Sequence, residues 1–288
     1  MKALSKIRDV SEILSRHGIE SAEKEAQLLI TYSLSVDLVD IYRDNPEVKD
    51  EWSMAIDRMV ARRIRREPLQ YILGYVNFLG LRISLGRDVL IPRPETEMMV
   101  EYAAKAVSVQ RSAVSNGQGI TILDLCTGSG CIALALAREF PGSLVYGVDI
   151  SEDAVGYARR NALDNDIANA LFLCSSMFDA IQRGERFDVV ISNPPYIPTS
   201  DIKNLEPEIK QWEPRTALDG GADGLDAYRS IIPRAGNFLK NNGILILELG
   251  IGLAQPVSGM AEHAGFSGIE ITKDFAGIER IFRAAWIK

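Results

Sequence analysis

Cysteine, histidine and long apolar runs are scarce in this chain, and each scarcity closes a route. Three cysteines, Cys126, Cys131 and Cys174, occur in 288 residues. The count is odd and no pair has CxxC spacing, so no disulfide framework is indicated. The thiols are expected to be reduced and buried. Two histidines, His17 and His263, lie far apart in sequence. No zinc template results, no Ser/His/Asp or Cys/His set is visible, and no metal is expected. No stretch approaches the roughly 20 apolar residues of a membrane helix. Met1–Lys6 leads into amphipathic sequence, not a continuous apolar signal segment, so a cytoplasmic protein without membrane contact is expected. Basic excess is missing as well. The net charge is −7, with 12 basic and 13 acidic residues in 1–72 and 18 against 25 in 93–288. A protein that grips a phosphate backbone carries a basic field, so direct nucleic-acid binding is not expected.

What remains is ordinary globular composition, 47% hydrophobic and 25% charged, at a length that suits two domains. Leu4, Ile7, Val10, Ile13 and Leu14 recur at helical spacing, as do Ala22, Ala26, Leu29, Ile30 and Leu34 after Gly18. A third helix is expected from about Glu47 to Arg66, started by Asn45-Pro46, with Trp52, Ile56, Met59, Val60 and Ile64 inward. Residues 1–72 thus read as a small helical domain. Val76–Phe78 and Leu81–Leu85 read as two strands joined at Gly80, a hairpin linker over 73–92. Arg93-Pro94-Glu95-Thr96-Glu97 starts a helix, with proline and acids suited to a first turn. Asn116–Gly119 reads as a turn before the first strand. Strands at Ile120–Leu125, Leu144–Asp149, Leu171–Cys174, Phe187–Ser192 and Ile244–Leu249 follow, with helices at Ile132–Phe140 and Ala154–Asn165. This rhythm implies an α/β, mainly parallel, doubly wound sheet over 93–288. Ile269–Thr272 and Arg280–Trp286 close it as an edge hairpin. Pro198–Tyr228, rich in proline, glycine and acids, is too long for an ordinary connection and reads as a functional loop.

Two motifs carry chemistry. Asp124-Leu125-Cys126-Thr127-Gly128-Ser129-Gly130 stands at a strand-to-helix turn, where glycines admit a ligand to the backbone and the helix offers free N–H groups. Nineteen residues after Gly130, Asp149 ends the next strand, where an acid can accept hydrogen bonds from both ribose hydroxyls. This is a nucleoside signal that does not name the cofactor. Asn193-Pro194-Pro195-Tyr196 follows an apolar strand. Two prolines fix the backbone and remove two N–H donors, so carbonyls face outward as acceptors. With the Asn oxygen and the flat Tyr ring they suit a planar NH₂ group. Such a nitrogen is a poor nucleophile, and acceptors on its hydrogens favour the pyramidal form that aims its lone pair. A ribose acid beside an amino clamp points to methyl transfer from S-adenosylmethionine, a displacement that needs positioning more than acid–base groups. Met177-Phe178 is expected to flank the adenine.

The chain resembles the protein-(glutamine-N5) methyltransferases that modify peptide chain release factors. The resemblance runs through Glu67–Gly74, Val89–Glu97, Leu123–Gly130, Asp149–Ser151, Asn193–Tyr196, Glu213-Pro214, Ala217-Leu218 and Asp223–Leu225. It implies a helical N-terminal domain for substrate recognition, a hairpin linker and a Rossmann-like, seven-stranded class I methyltransferase domain. It implies methylation of the glutamine of the Gly-Gly-Gln tip of class 1 release factors. Asn193 and the Pro194 carbonyl would accept the amide hydrogens, with Pro195 and Tyr196 completing the clamp. Asp149 would hold the ribose. Cys126, Thr127, Gly128, Ser129 and Gly130 would line the methionine part, with Asp124 near its ammonium. Cys126 departs from the family, which usually has Gly there.

Asn193–Tyr196 alone also fits an enzyme acting on exocyclic amino groups of DNA or rRNA, and a cofactor-fold binding module without catalysis is a third possibility. The run Arg58, Arg62, Arg63, Arg65, Arg66 reads as a solvated helical face. Arg93, Glu95 and Thr96 either shape the substrate cleft or cap a helix. Glu248 is either a cofactor neighbour or a paired structural acid.

Overall fold

Helical periodicity builds the first elements of the computed structural model, which describes residues 1–113 and 119–288. Helices α1 (Ala3–Arg16), α2 (Ala22–Leu34), α3 (Leu38–Asp44), α4 (Asp50–Arg63) and α5 (Leu69–Leu73) bury Val10, Leu14, Leu29, Ile30, Ile41 and Ile56 together. The expected third helix is α4, about three residues shorter at each end, and the short helices α3 and α5 on either side of it were not expected. Asn45 does not start it. It ends α3 in a left-handed conformation (φ 42°), and its Oδ1 accepts the Leu4 N–H at 3.0 Å. α4 begins only at Asp50.

Strands β1 (Tyr75–Phe78) and β2 (Leu81–Ser84) form the hairpin. It is no free linker, because Phe78, Leu81 and Ile83 lie in the core of the α/β part. Helix α6 (Pro94–Ala113) starts on its proline as expected. Three of the four residues of the expected Asn116–Gly119 turn lie outside the described residues. Then come β3 (Thr121–Leu125), α7 (Cys131–Glu139), β4 (Leu144–Asp149), α8 (Glu152–Asp164), β5 (Ala170–Cys174) and β6 (Phe187–Ser192). Asn161 on α8 and Asn165 just past its end extend the β2 ladder: their Oδ1 atoms accept from Ser84 and Arg82 N–H, and their Nδ2 atoms donate to the same residues' carbonyls.

The long segment after β6 carries a short helix, α9 (Pro207–Trp212). It is followed by α10 (Asp226–Ala235), β7 (Leu239–Glu248), α11 (Ala254–His263), β8 (Ser267–Lys273) and β9 (Glu279–Trp286). Neither α10 nor α11 was expected. Pro233 lies inside α10, while Pro256 and Gly259 interrupt the pattern of α11, and such residues mask helical sequence.

Two compact units result: residues 1–75 with 206–212, and residues 76–205 with 213–288. The first is discontinuous because α9 belongs to it. Glu208 accepts from Arg63 at 2.9 Å and from Arg66 at 2.9 Å, and Arg63 also pairs with Glu25 at 2.6 Å. The basic run is therefore not a solvated face throughout. Arg63 is only 6% exposed, and Arg62 pairs with the buried Glu67. A charge so buried persists because it is paired.

In the second unit the sheet order is β5-β4-β3-β6-β7-β9-β8. The first five strands run parallel, and β9 runs antiparallel to both neighbours. Alternate residues feed two cores: Ile122, Val189 and Ile246 lie on the face of α6, α7 and α8, and Leu123, Val190 and Leu245 on that of α10 and α11. Strand order reverses about β3 and β6, and a cleft at their carboxyl ends is the rule for such sheets. Among the described residues no helix is long and apolar enough to cross a membrane. Cys131 is buried and Cys126 partly so, but Cys174 is exposed, contrary to the expectation of buried thiols.

Candidate active site

The turn after β3 owes its shape to backbone that L-residues avoid. Gly130 has φ 81°, and a Cβ there would stand 2.9 Å from the Ala158 Cβ, so α7 can start against α8 only with glycine. Cys126 shares the left-handed region (φ 57°) without being glycine. Partial burial and the Asp149 charge push its thiol up to about 12. A Cβ on Gly128 would meet nothing within 4 Å, so open space faces that backbone.

The two acids are held differently. Asp149 accepts the Gly128 N–H at 2.9 Å on Oδ2 and the Ser151 N–H at 2.9 Å on Oδ1. Burial raises its pKa, and these amide donors oppose the rise. Asp124 is fully buried. Its Oδ2 accepts from the Thr127 hydroxyl at 2.5 Å and the Ala133 N–H at 3.2 Å. Its Oδ1 finds no partner among the described residues. Burial pushes Asp124 up to about 7 despite those two donors. An orphaned carboxylate oxygen at that depth calls for a cation or a donor.

A cleft with about 780 Å³ of empty space, partly open to solvent, lies along these strand ends. Cys126, Gly128, Asp149, Met177, Asn193 and Pro195 line it together, joining both motifs in one site. Asp124, Thr127 and Ser129 are buried beneath that wall, and Gly130 and Pro194 are buried with them. Phe178 does not flank the cleft with Met177. It is 1% exposed and stacks on Phe238 at 4.6 Å between ring centroids, as part of the core. Tyr196 stands outside the lining, its hydroxyl donating to Glu248 Oε1 at 3.2 Å.

Two further segments wall the cleft, one of them within the Pro198–Tyr228 segment expected to be a functional loop. Val89 and Leu90 line it from one segment, and Pro214, Thr216 and Ala217 from another. Glu213 ties the two segments, accepting the Ile91 N–H at 3.3 Å and an Arg93 N–H. Arg93 therefore braces the cleft wall. The loop also folds back on the clamp. Ile197 N–H donates to the Leu218 carbonyl at 2.9 Å, and a Cβ on Gly224 would stand 2.4 Å from the Tyr196 carbonyl. The motif residues around 213–225 were the available signal, but their partners lie far off in sequence.

Thr96 is buried and caps nothing. It accepts from Asn193 Nδ2 at 3.1 Å and donates to Glu248 Oε2 at 2.7 Å. Glu248, 1% exposed, is thus a paired acid behind the clamp.

Comparison with known proteins agrees with this geometry. Two solved structures share the fold. One is the hMettl16 catalytic domain in complex with MAT2A 3′UTR hairpin 6 (TM-score 0.56, 14% identity, 83% of each chain). The other is the T. thermophilus 16S rRNA N2 G1207 methyltransferase in complex with AdoMet and guanosine (TM-score 0.53, 21% identity, 73% of this chain and 49% of that one). A methyltransferase-domain family matches residues 116–251, and the PrmC N-terminal domain matches 6–74. Fold and site thus define a methyltransferase whose methyl donor is S-adenosylmethionine. The residues fit that donor: the acid ending β4 suits ribose hydroxyls, and the orphaned Asp124 oxygen suits an ammonium. The release factor glutamine methyltransferase of Thermodesulfovibrio yellowstonii is 44% identical over 98% of this chain and 97% of its own. That of Geobacter sulfurreducens is 42% identical over 93% and 91%. The chain belongs to the release factor glutamine methyltransferase family.

Proposed function

We propose that the protein methylates the side-chain amide nitrogen, N5, of the glutamine in the Gly-Gly-Gln motif of class 1 peptide chain release factors. The observation that carries this reading is that Asn193 and Pro195 open into the same cleft as Gly128 and Asp149. An amide clamp and a nucleoside acid therefore face one space. S-adenosylmethionine supplies a methyl group already activated on a sulfonium. Asp149 holds the ribose, Asp124 the ammonium through its unpartnered oxygen, and the Cys126–Gly130 turn lines the methionine part. Met177 lies along the adenine.

Asn193 Oδ1 and the Pro194 carbonyl accept the two hydrogens of the target amide. Pro195 and Tyr196 keep that backbone rigid. Acceptors on both hydrogens set the nitrogen's lone pair toward the methyl group. The new N–C bond would form as the methyl–sulfur bond breaks, and the methylated nitrogen then loses one hydrogen to solvent. No residue removes a proton before transfer, so orientation supplies most of the effect. A single glutamine side chain offers little to select on, and residues 1–72 are the recognition surface for the rest of the release factor. The reading places the enzyme in the cytoplasm with the translation machinery and requires no direct nucleic-acid contact, which the net charge of −7 supports.

The test is incubation with labelled S-adenosylmethionine and, separately, release factor, DNA and rRNA, followed by peptide mass spectrometry. Label on the glutamine of Gly-Gly-Gln is expected. Label in DNA or rRNA, or elsewhere in the release factor, overturns the proposal.

A further inference from the structure

The Asn193 amide has two faces, and only one suits a target that donates hydrogens. Turned one way it presents Oδ1 to the cleft. Turned the other it presents Nδ2, a donor facing a donor. Nothing within Asn193–Tyr196 itself decides between them. The deciding groups come from elements far away in sequence.

We infer that Thr96 and Glu248 are positioning residues that lock the Asn193 amide with its oxygen toward the cleft. The inference rests on the reading of Asn193 as acceptor of the target amide. Hydrogen counting carries it. The Thr96 hydroxyl has one hydrogen. At 2.7 Å from Glu248 Oε2, that hydrogen is given to the carboxyl group, each of whose oxygens takes a hydroxyl hydrogen. Tyr196 gives its hydroxyl hydrogen to the other oxygen at 3.2 Å. The Thr96 oxygen toward Asn193 then offers only lone pairs. It can take the Nδ2 hydrogen at 3.1 Å but repels Oδ1. The amide orientation follows from donor and acceptor identity along the chain Asn193, Thr96, Glu248.

Both residues are hidden from substrate, Thr96 2% and Glu248 1% exposed, and neither lines the cleft. They act through Asn193. Glu248 sits at the end of β7, where Tyr228 donates to its backbone carbonyl at 2.7 Å and fixes the strand end. Burial and the Glu95 charge raise the Glu248 pKa, and the Thr96 and Tyr196 hydroxyls and Arg280 oppose that rise. A glutamine at 248 breaks the logic in part. Its NH₂ can donate to Thr96, releasing the Thr96 hydrogen toward Asn193 Oδ1 and favouring the turned amide.

The test compares wild type with Thr96→Val, Thr96→Ser, Glu248→Gln, Asn193→Ala and Asn193→Ala combined with Thr96→Val. Release factor is the acceptor, kcat and KM are measured, and S-adenosylmethionine affinity is read by calorimetry. We expect Thr96→Val to lower kcat at least tenfold, Glu248→Gln to lower it less, and Thr96→Ser to stay within about twofold of wild type. Cofactor affinity should hold within about twofold throughout, which shows that the variants are folded. Adding Thr96→Val to Asn193→Ala should cost nothing more, because the residue it positions is gone. Wild-type kcat in Thr96→Val overturns the inference, as does an equal further loss in the double variant. Wild-type kcat in Glu248→Gln alone removes Glu248 from it. A wild-type protein that transfers no methyl to release factor overturns instead the reading on which the inference rests.

Discussion

The two ends of the cleft are built on opposite plans. At the end proposed for the cofactor, acids are held mainly by backbone close by in the fold: Asp149 by the Ser151 and Gly128 N–H groups, Asp124 by the Ala133 N–H and the Thr127 hydroxyl. Backbone N–H groups do most of the holding, with one hydroxyl, that of Thr127, beside them. At the end proposed for the methyl acceptor, side chains hold side chains across the fold. Asn193 meets Thr96 97 positions away, and Thr96 meets Glu248 152 positions away. The first plan suits a ligand common to many enzymes. The second lets one amide be set for one kind of acceptor, and leaves that setting open to a single substitution.

Breaking the acceptor end should have the largest effect. Asn193→Ala is expected to cut single-turnover methyl transfer by about 10²-fold or more, the scale for misplacing a reactant by ~1 Å. Cofactor affinity, owed to the other end, should barely move. Asn193→Asp keeps an acceptor but adds charge beside the sulfonium, and it should not restore the rate. Full activity in Asn193→Ala would erase the division of labour between the two ends.

Asp149→Ala should weaken S-adenosylmethionine binding by about 1–3 kcal/mol, the scale for lost charged hydrogen bonds. Unchanged affinity by titration calorimetry in a folded variant would reject its ribose role.

Asp124 sharpens the comparison through pH. In the ligand-free protein its pKa is pushed up to about 7 by burial, against roughly 3.9 unfolded. A raised carboxyl favours the neutral form in the fold. Its contribution to stability is complete below about pH 4 and is lost as pH rises through about 7. An ammonium beside it favours the carboxylate instead. Cofactor binding at pH 6 should therefore release a proton, and affinity should fall about tenfold from pH 8 to pH 6, one pKa unit in effect. Binding enthalpies in buffers of different ionisation heat measure the proton. The same release in Asp124→Asn would assign it elsewhere.

The smallest effect concerns Cys126, whose left-handed backbone costs an L-residue roughly 1–2 kcal/mol, against the roughly 0.5–1 kcal/mol of chain entropy that glycine loses. Cys126→Gly should leave stability equal or raise it by up to about 1 kcal/mol in denaturant unfolding, with cofactor affinity retained. Clear destabilisation would mean that the thiol's packing outweighs the backbone conformation.

Removing residues 1–72 is a poorer experiment than the sequence implies. It would strip Glu208 of Arg63 and Arg66 and leave α9 without the rest of its unit. Surface substitutions on the helical unit, read by KM for release factor, are the better test of its recognition role.

Local chemistry was legible in the sequence. Strands β4 and β6, the Pro94 start of α6, and the placing of the Asp124–Gly130 turn, Asp149 and Asn193–Tyr196 at strand ends could be read there because their signals lie within a few residues. Period-2 and period-3.6 patterns, prolines at helix starts and glycines at turns act over that range. What only the tertiary structure decided is whatever depends on partners brought together by folding. It turned Phe178 into the core while its neighbour Met177 reached the cleft. It took Arg63 from an expected solvated face into a buried pair, and carried α9 back to the helical unit. It gave Glu213, Thr96 and Glu248 their partners. A buried charge or hydroxyl needs a complement but does not name it in sequence, because hydrogen bonding sets the distance between two groups in space and leaves their separation along the chain unconstrained.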